Sequence, residues 1–174
     1  ASTAIAYLKK SESWLQHYLE APTFTANTSQ DIETITHTYA LLSKCYARTH
    51  DLQEALTYAK LALGVAKQYY SANAFVLHPH YNRIGKLYFA LEEYEKSQEY
   101  HRKAIYILKT SQIEKPVTDS STITLAYYYS DLADAFSRQE AIKYYQKSLS
   151  LIENKAEHLL VRIKNLRKIA EQYN

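Results

Sequence analysis

Apolar and small residues recur along this chain at helical spacing, not with the alternation of strands. In residues 39–63, Tyr39, Leu42, Ser43 and Tyr46 stand at i, i+3, i+4 and i+7, which places them on one helix face. The same order of residue types returns in residues 81–105 as Tyr81, Ile84-Gly85 and Tyr88, and in residues 129–149 as Tyr129, Leu132-Ala133 and Phe136. A second helical pattern follows each time, marked by small residues seven positions apart: Ala55 and Ala62, Ser97 and Ala104, Ala141 and Ser148. Small side chains at that spacing let the two helices of a hairpin approach closely while aromatics fill the space beside them. Asp51 with Glu54 predicts a capping box opening the second helix of the first pair.

A hairpin cannot bury its apolar face alone, so neighbours must present matching faces, and the repetition predicts an all-α solenoid. The expected organisation is one domain of about eight antiparallel helices. It divides into a partial repeat helix at 2–21, three repeats at 29–70, 78–111 and 121–154, and a closing helix at 155–173. Ala4 and Ser11, again seven apart, mark the first segment as the second helix of an incomplete unit. Leu159, Ile163, Leu166, Ile169, Ala170 and Tyr173 form one apolar stripe, as a closing helix requires. Two irregularities interrupt the pattern. Between Arg138 and Ala141 about four residues of interhelical turn are lacking, so either two helices run together there or the sequence as given skips a loop. Residues 109–122 predict an exposed loop with Pro116 at its middle.

Composition narrows the class. A chain of 174 residues is long enough for a sizeable core, and 2 glycines with 3 prolines favour long helices over many turns. Lys plus Arg is 21 against 18 Asp plus Glu, a net charge of +3, too small to predict a nucleic-acid partner. The single cysteine, Cys45, makes no internal disulfide and predicts a reducing, cytoplasmic setting, with the thiol buried and structural. No apolar run reaches the ~18 residues of a membrane span, and no basic-then-apolar leader opens the sequence. Methionine is absent even at residue 1, so the chain is read as a trimmed product or part of a larger chain or complex.

The order of residues from 39 to 149 resembles the tetratricopeptide repeat, the helix-turn-helix unit of protein-binding solenoids. The unit spacing, 42 residues between Leu42 and Ile84 and 48 between Ile84 and Leu132, is longer than the usual repeat. It resembles the long repeats of kinesin light chains and of the C-terminal domain of SET and MYND lysine methyltransferases. The His78-Pro79 pair, similar to one that precedes the first helix in those repeats, lies here about one turn nearer to it, as a first-turn proline.

The resemblance implies that first helices line a concave groove and that residues one step round from the packing stripe point into it. These are Ala40, Lys44, Ala47 and Arg48, then Asn82, Lys86, Phe89 and Ala90, then Tyr127, Ser130, Asp134 and Ser137, with Asp131 beside them. The groove is expected to run from basic (Lys44, Arg48, Lys86) to acidic (Asp131, Asp134) and to hold a protein or peptide segment, with Phe89 and Tyr127 as anchors. Scaffold or adaptor is the expected role. A peptide-sensing regulatory domain, similar to Gram-positive pheromone receptors, and the helical tail of an enzyme are the alternatives. Chaperone-tail binding, known in the family, is not expected: where a set of Lys, Asn and Arg is needed, this chain has Ala40, Lys44, Arg83, Tyr127 and Asp131, and Asp131 repels a carboxylate.

Other residues carry structural expectations. The 18 tyrosines include the run Tyr127-Tyr128-Tyr129, which cannot all be core because successive helical residues diverge by about 100°. His37, His78 and His80 lack zinc-site spacing, so no metal or other cofactor is expected. No Gly-rich phosphate loop or Ser-His-Asp set is recognisable, so no catalytic residues are assigned and the chain is not expected to be an enzyme. Arg162, Lys164, Arg167 and Lys168 oppose the C-terminal stripe as a solvated helix side.

Overall fold

The computed structural model describes residues 2–20, 29–71, 74–111, 119–152 and 158–173. They form α1 (Ser2–Glu20), α2 (Ser29–Arg48), α3 (Leu52–Tyr69), α4 (His78–Ala90), α5 (Tyr94–Ser111), α6 (Asp119–Asp134), α7 (Arg138–Ile152) and α8 (Leu159–Tyr173). Only a 3-10 turn at Phe75–Leu77, leading into α4, departs from α-helix among the described elements. The strongest packing is within α2–α3, α4–α5 and α6–α7, and each second helix also packs on the first helix of the following pair. This is an α-α superhelix of tetratricopeptide type.

The small-residue positions are where the helices meet: Ser43, Ala55, Ala62, Ser97, Ala104, Ala133, Ala141 and Ser148 are all buried, with Leu42, Ile84 and Leu132 beside them. The hydroxyls of Ser43 and Ser97 have no hydrogen-bond partner among the described residues, so size is what those places select.

Aromatic contacts repeat with the units. The tyrosine three residues after the first small residue of each second helix lies against two aromatics of its own unit, both on the first helix in the first two pairs and one on α6 with one in the following turn in the third. Tyr58 meets Tyr39 at 6.2 Å and Tyr46 at 5.4 Å between ring centroids; Tyr100 meets Tyr81 at 6.1 Å and Tyr88 at 5.4 Å; Tyr144 meets Tyr129 at 6.3 Å and Phe136 at 5.1 Å. Two positions further on, a cation reaches across to the next unit. Lys60 lies 5.3 Å from the ring centroid of Tyr88 and Arg102 lies 5.2 Å from that of Phe136. Cation–π attraction thus adds to apolar packing between units. Lys9 of α1 stands 5.7 Å over Tyr46 in the same relation, which sets α1 in the register of a second helix.

Several sequence expectations change. Helices α6 and α7 do not run together: Ala135, Phe136 and Ser137 separate them, a turn as long as 49–51 and 91–93. The shortening lies in α6, which ends one residue after Ala133, whereas α2 and α4 run five residues past Ser43 and Gly85. The turn chemistry changes with it, because His50 (φ 63) and Glu92 (φ 62) are left-handed in the first two turns while 135–137 contain no positive φ. The capping box is half made: Glu54 N donates to Asp51 Oδ1 at 3.4 Å, while Asp51 N is taken by the Tyr46 carbonyl at 3.0 Å. The loop expected at 109–122 is shorter, since 109–111 belong to α5 and 119–122 to α6; Pro116 lies outside the described residues. Ser11 is exposed, and the Ala4 side chain lies outside the described residues. The stripe of α8 divides: Leu159, Ile163, Leu166 and Tyr173 are exposed, while Ile169 packs on Ala133, Ala141 and Tyr145, and Val161 and Asn165, outside the stripe, are buried.

Candidate interaction surface

The first helices position the residues expected in the groove, and the structure divides them into two sets. Lys44 and Arg48 on α2, Lys86 and Phe89 on α4 and Tyr127 on α6 are exposed. Lys44 and Lys86 follow Ser43 and Gly85 directly, so they occupy the same station in successive units. Phe89 also leans on Tyr94, with ring centroids 5.8 Å apart. In the tyrosine run, Tyr127 is exposed, Tyr128 buried and Tyr129 half-buried, as divergence around a helix demands.

Asn82 and Ser130 do not point into open solvent. Both are buried, and with Asp131 and Asp134 they form a polar seam joining α4, α6 and α8. Asn82 Nδ2 donates to Asp131 Oδ2 at 3.2 Å, and Lys86 Nζ lies 2.9 Å from the same oxygen. Ser130 Oγ donates to Asn165 Oδ1 at 2.7 Å, and Asn165 Nδ2 donates to Ser148 Oγ at 2.8 Å. Asp134 is held by Lys164 Nζ at 2.8 Å and by the Tyr145 hydroxyl. A graded basic-to-acidic groove is therefore corrected: both carboxylates are half-buried and neutralised by lysines, and the exposed groove cations are Lys44, Arg48 and Lys86. The physical reason is that a half-buried carboxylate is costly unless it is paired.

Behind the seam sit two buried histidines. His101 Nδ1 lies 2.8 Å from Asn82 Oδ1; because that oxygen only accepts, Nδ1 carries the proton. Burial lowers the His101 pKa from 6.5 to about 4, against the pull of Asp131, so the ring is neutral. His78 Nδ1 and the Tyr128 hydroxyl share a hydrogen bond of 2.7 Å, and burial, then His80, likewise lowers His78 from 6.5 to about 4. Burial, followed by the charge of Asp131, raises the Tyr128 hydroxyl well above its usual value.

Sequence reading missed His101, Tyr145 and Asn165, and it placed Lys164 on a solvated helix side, whereas Lys164 is half-buried and pairs with Asp134. The available signal was polar residues at inward helical positions, such as Asn165 between Val161 and Ile169 at four-residue spacing. Cys45, expected buried, is half-buried. Among the described residues no group of three or more His, Cys, Asp or Glu stands close enough to hold a metal. No described helix is long and apolar enough to cross a membrane.

The fold and its repeated contacts define a helical-repeat solenoid. Residues 80–107, within the second pair, match the model of the tetratricopeptide repeat family. No curated protein matches the chain. Among solved structures it is similar to BtubC (BKLC) from P. vanneervenii, with TM-score 0.70, 16% identity, and coverage of 95% of this chain and 66% of that one. It is similar also to TPR-like repeats from a Podosopora anserina protein classed as a kinesin light chain, with TM-score 0.59, 15% identity, and coverage of 95% and 77%. The N-terminal domain of stress-induced protein-1 from C. elegans aligns with TM-score 0.56 and 15% identity over 82% of this chain and 98% of that one. At these identities the likeness is one of fold, and it is compatible with the long repeat spacing.

Proposed function

We propose that this chain is an interaction module, a scaffold or adaptor, that takes up a peptide segment of a protein partner along its first helices. The observation that carries the reading is the exposed cations Lys44 and Arg48 on α2, with the exposed Lys86 at the Lys44 station of α4, though paired there with Asp131, and the partly exposed rings of Phe89 on α4 and Tyr127 on α6. Repeat proteins use such laterally aligned positions for extended ligands, and amphipathic rings serve as anchors. Since Asp131 and Asp134 are neutralised by lysines, the ligand need not be basic at one end; an acidic segment with one or two large apolar residues is the best complement.

The test is fluorescence anisotropy of labelled acidic peptides with aromatic or leucine anchors, against their charge-reversed counterparts, at low and high salt. The double variant Lys44→Glu/Arg48→Glu is expected to weaken capture at least about tenfold, roughly 1.4 kcal/mol, with helicity unchanged and most of the loss at low salt. It is cleaner than Lys86→Glu, which also breaks the pair with Asp131. Equal binding of acidic and basic peptides, or no effect of the variant, would remove the proposal.

A further inference from the structure

Between α5 and α7, the second helices of the last two pairs, lies a cleft of about 300 Å³. Along α5 its wall is Arg102, Tyr106 and Lys109, which stand at i, i+4 and i+7 and so share one helix face. Tyr144 and Lys147 of α7 form the other wall, and the buried Ile105 and Leu132 line it with the half-buried Tyr129. Three cations therefore border one small space and no carboxylate does. None of the three is in an ion pair with a described carboxylate. Aromatic faces hold two of them instead: Lys147 Nζ lies 5.9 Å from the ring centroid of Tyr129 and 5.2 Å from that of Tyr144, and the Arg102 guanidinium lies 5.2 Å from that of Phe136. A ring face attracts a cation without using up its N–H donors, so an incoming anion displaces no internal partner.

The junction one unit earlier has the same stations and lacks two of the features. Lys60, Lys67 and Lys103 stand there in the places of Arg102, Lys109 and Lys147, and Tyr81, Ile84 and Tyr100 in those of Tyr129, Leu132 and Tyr144. Lys103, however, is bound to Glu99, whose counterpart in α7 is Lys143, a cation that leaves Lys147 free. Gly64 takes the place of Tyr106, and nothing lies within 4 Å of a Cβ built on it, so that side of the earlier junction has no wall. Of the two junctions, only the later combines a second aromatic wall with three unpaired cations.

We infer that this cleft receives a phosphotyrosine side chain of a partner protein, its ring against Tyr106 and Tyr144 and its phosphate among Arg102, Lys109 and Lys147. A phosphate monoester carries about −1.5 to −2 charge at neutral pH and three acceptor oxygens, which matches three cations; a carboxylate brings one charge and two oxygens. The guanidinium of Arg102 adds the planar fork that suits phosphate. The aromatic walls call for a ring on the anion, which phosphoserine does not have. A space of about 300 Å³ holds one side chain, and neither a whole helix nor a nucleic-acid duplex enters it. None of its residues is Lys44, Arg48, Lys86, Phe89 or Tyr127, so the site stands or falls separately from peptide capture along the first helices.

Fluorescence anisotropy of a labelled, otherwise uncharged peptide carrying one phosphotyrosine tests this, with its tyrosine and phosphoserine counterparts beside it. The phosphotyrosine peptide is expected to bind at least about tenfold more tightly than either counterpart. Phenyl phosphate is expected to compete better than inorganic phosphate, and added salt to weaken binding. Lys109→Gln/Lys147→Gln, at two exposed positions, is expected to weaken binding at least about tenfold with helicity unchanged. Tyr106→Ala is expected to narrow the advantage of phosphotyrosine over phosphoserine, and Lys44→Glu/Arg48→Glu to leave binding as it was. Equal binding of the three peptides, tighter binding of a nucleoside monophosphate than of phenyl phosphate, or a loss caused by Lys44→Glu/Arg48→Glu and not by Lys109→Gln/Lys147→Gln would overturn the inference.

Discussion

Gly85 is the place where a single hydrogen atom decides the packing of a pair. A Cβ built there would stand 2.8–2.9 Å from the His101 ring, which is buried and tied to Asn82, so it has little freedom to withdraw. Gly85→Ala adds helix propensity worth about 1 kcal/mol but overpacks a site where such changes cost about 1–3 kcal/mol. Net destabilisation of about 1 kcal/mol is expected in urea unfolding. In a His101→Ala background the same change is expected to be neutral or stabilising, and equal effects in both backgrounds would contradict the account. The histidines themselves make stability depend on pH. Because His78 and His101 have folded pKa values of about 4 against an ordinary 6.5, the folded state binds fewer protons between those values. Their neutral forms are fully compatible with the fold above about pH 6.5, and stability falls as pH drops from there toward about 4. At the lower end the loss is roughly 3 kcal/mol for the more deeply buried His101. Urea midpoints measured across that window in the parent chain and in His101→Gln, which should flatten the slope, check this.

At the scale of the element, α8 is held differently from the helices inside the stack. The other first helices rest on large aromatic and aliphatic contacts, whereas α8 buries only Val161 and Asn165. The Asn165 amide bridges Ser130 of α6 and Ser148 of α7, so its removal takes the acceptor from the buried Ser130 hydroxyl and leaves Ser148 with the Ala126 carbonyl alone. Asn165→Ala is expected to cost about 2–3 kcal/mol and to raise hydrogen exchange in α8 while α4 and α5 keep their protection. Uniform loss of protection throughout the chain would show that α8 does not open by itself. The stripe of α8 was legible as helical periodicity, but the face it buries was not. Periodicity marks an apolar arc without saying whether a neighbour exists to cover it, and the buried arc here is centred on a polar residue.

Over the whole molecule, one unit copied with variation accounts for the architecture, and the spacing of Leu42, Ile84 and Leu132 was enough to recognise it. The candidate groove was legible only as a set of stations. Their occupancy depends on neighbours 30 to 50 positions away: Asn82 meets Asp131 and Asp134 meets Lys164, pairings that no local pattern announces. Lateral capture along the first helices is expected to respond to Lys44→Glu/Arg48→Glu, read as weaker peptide binding at low salt with helicity unchanged.

The sequence by itself determined the helices, their pairing and the close contacts at Ala55, Ala62, Ser97 and Ala104, because those follow from side-chain size and a period set by the backbone. Only the tertiary structure decided which polar groups stay in water and which are spent between helices, and which apolar faces are left open. Burial and pairing are properties of two surfaces brought together, and a one-dimensional pattern describes only one of them at a time.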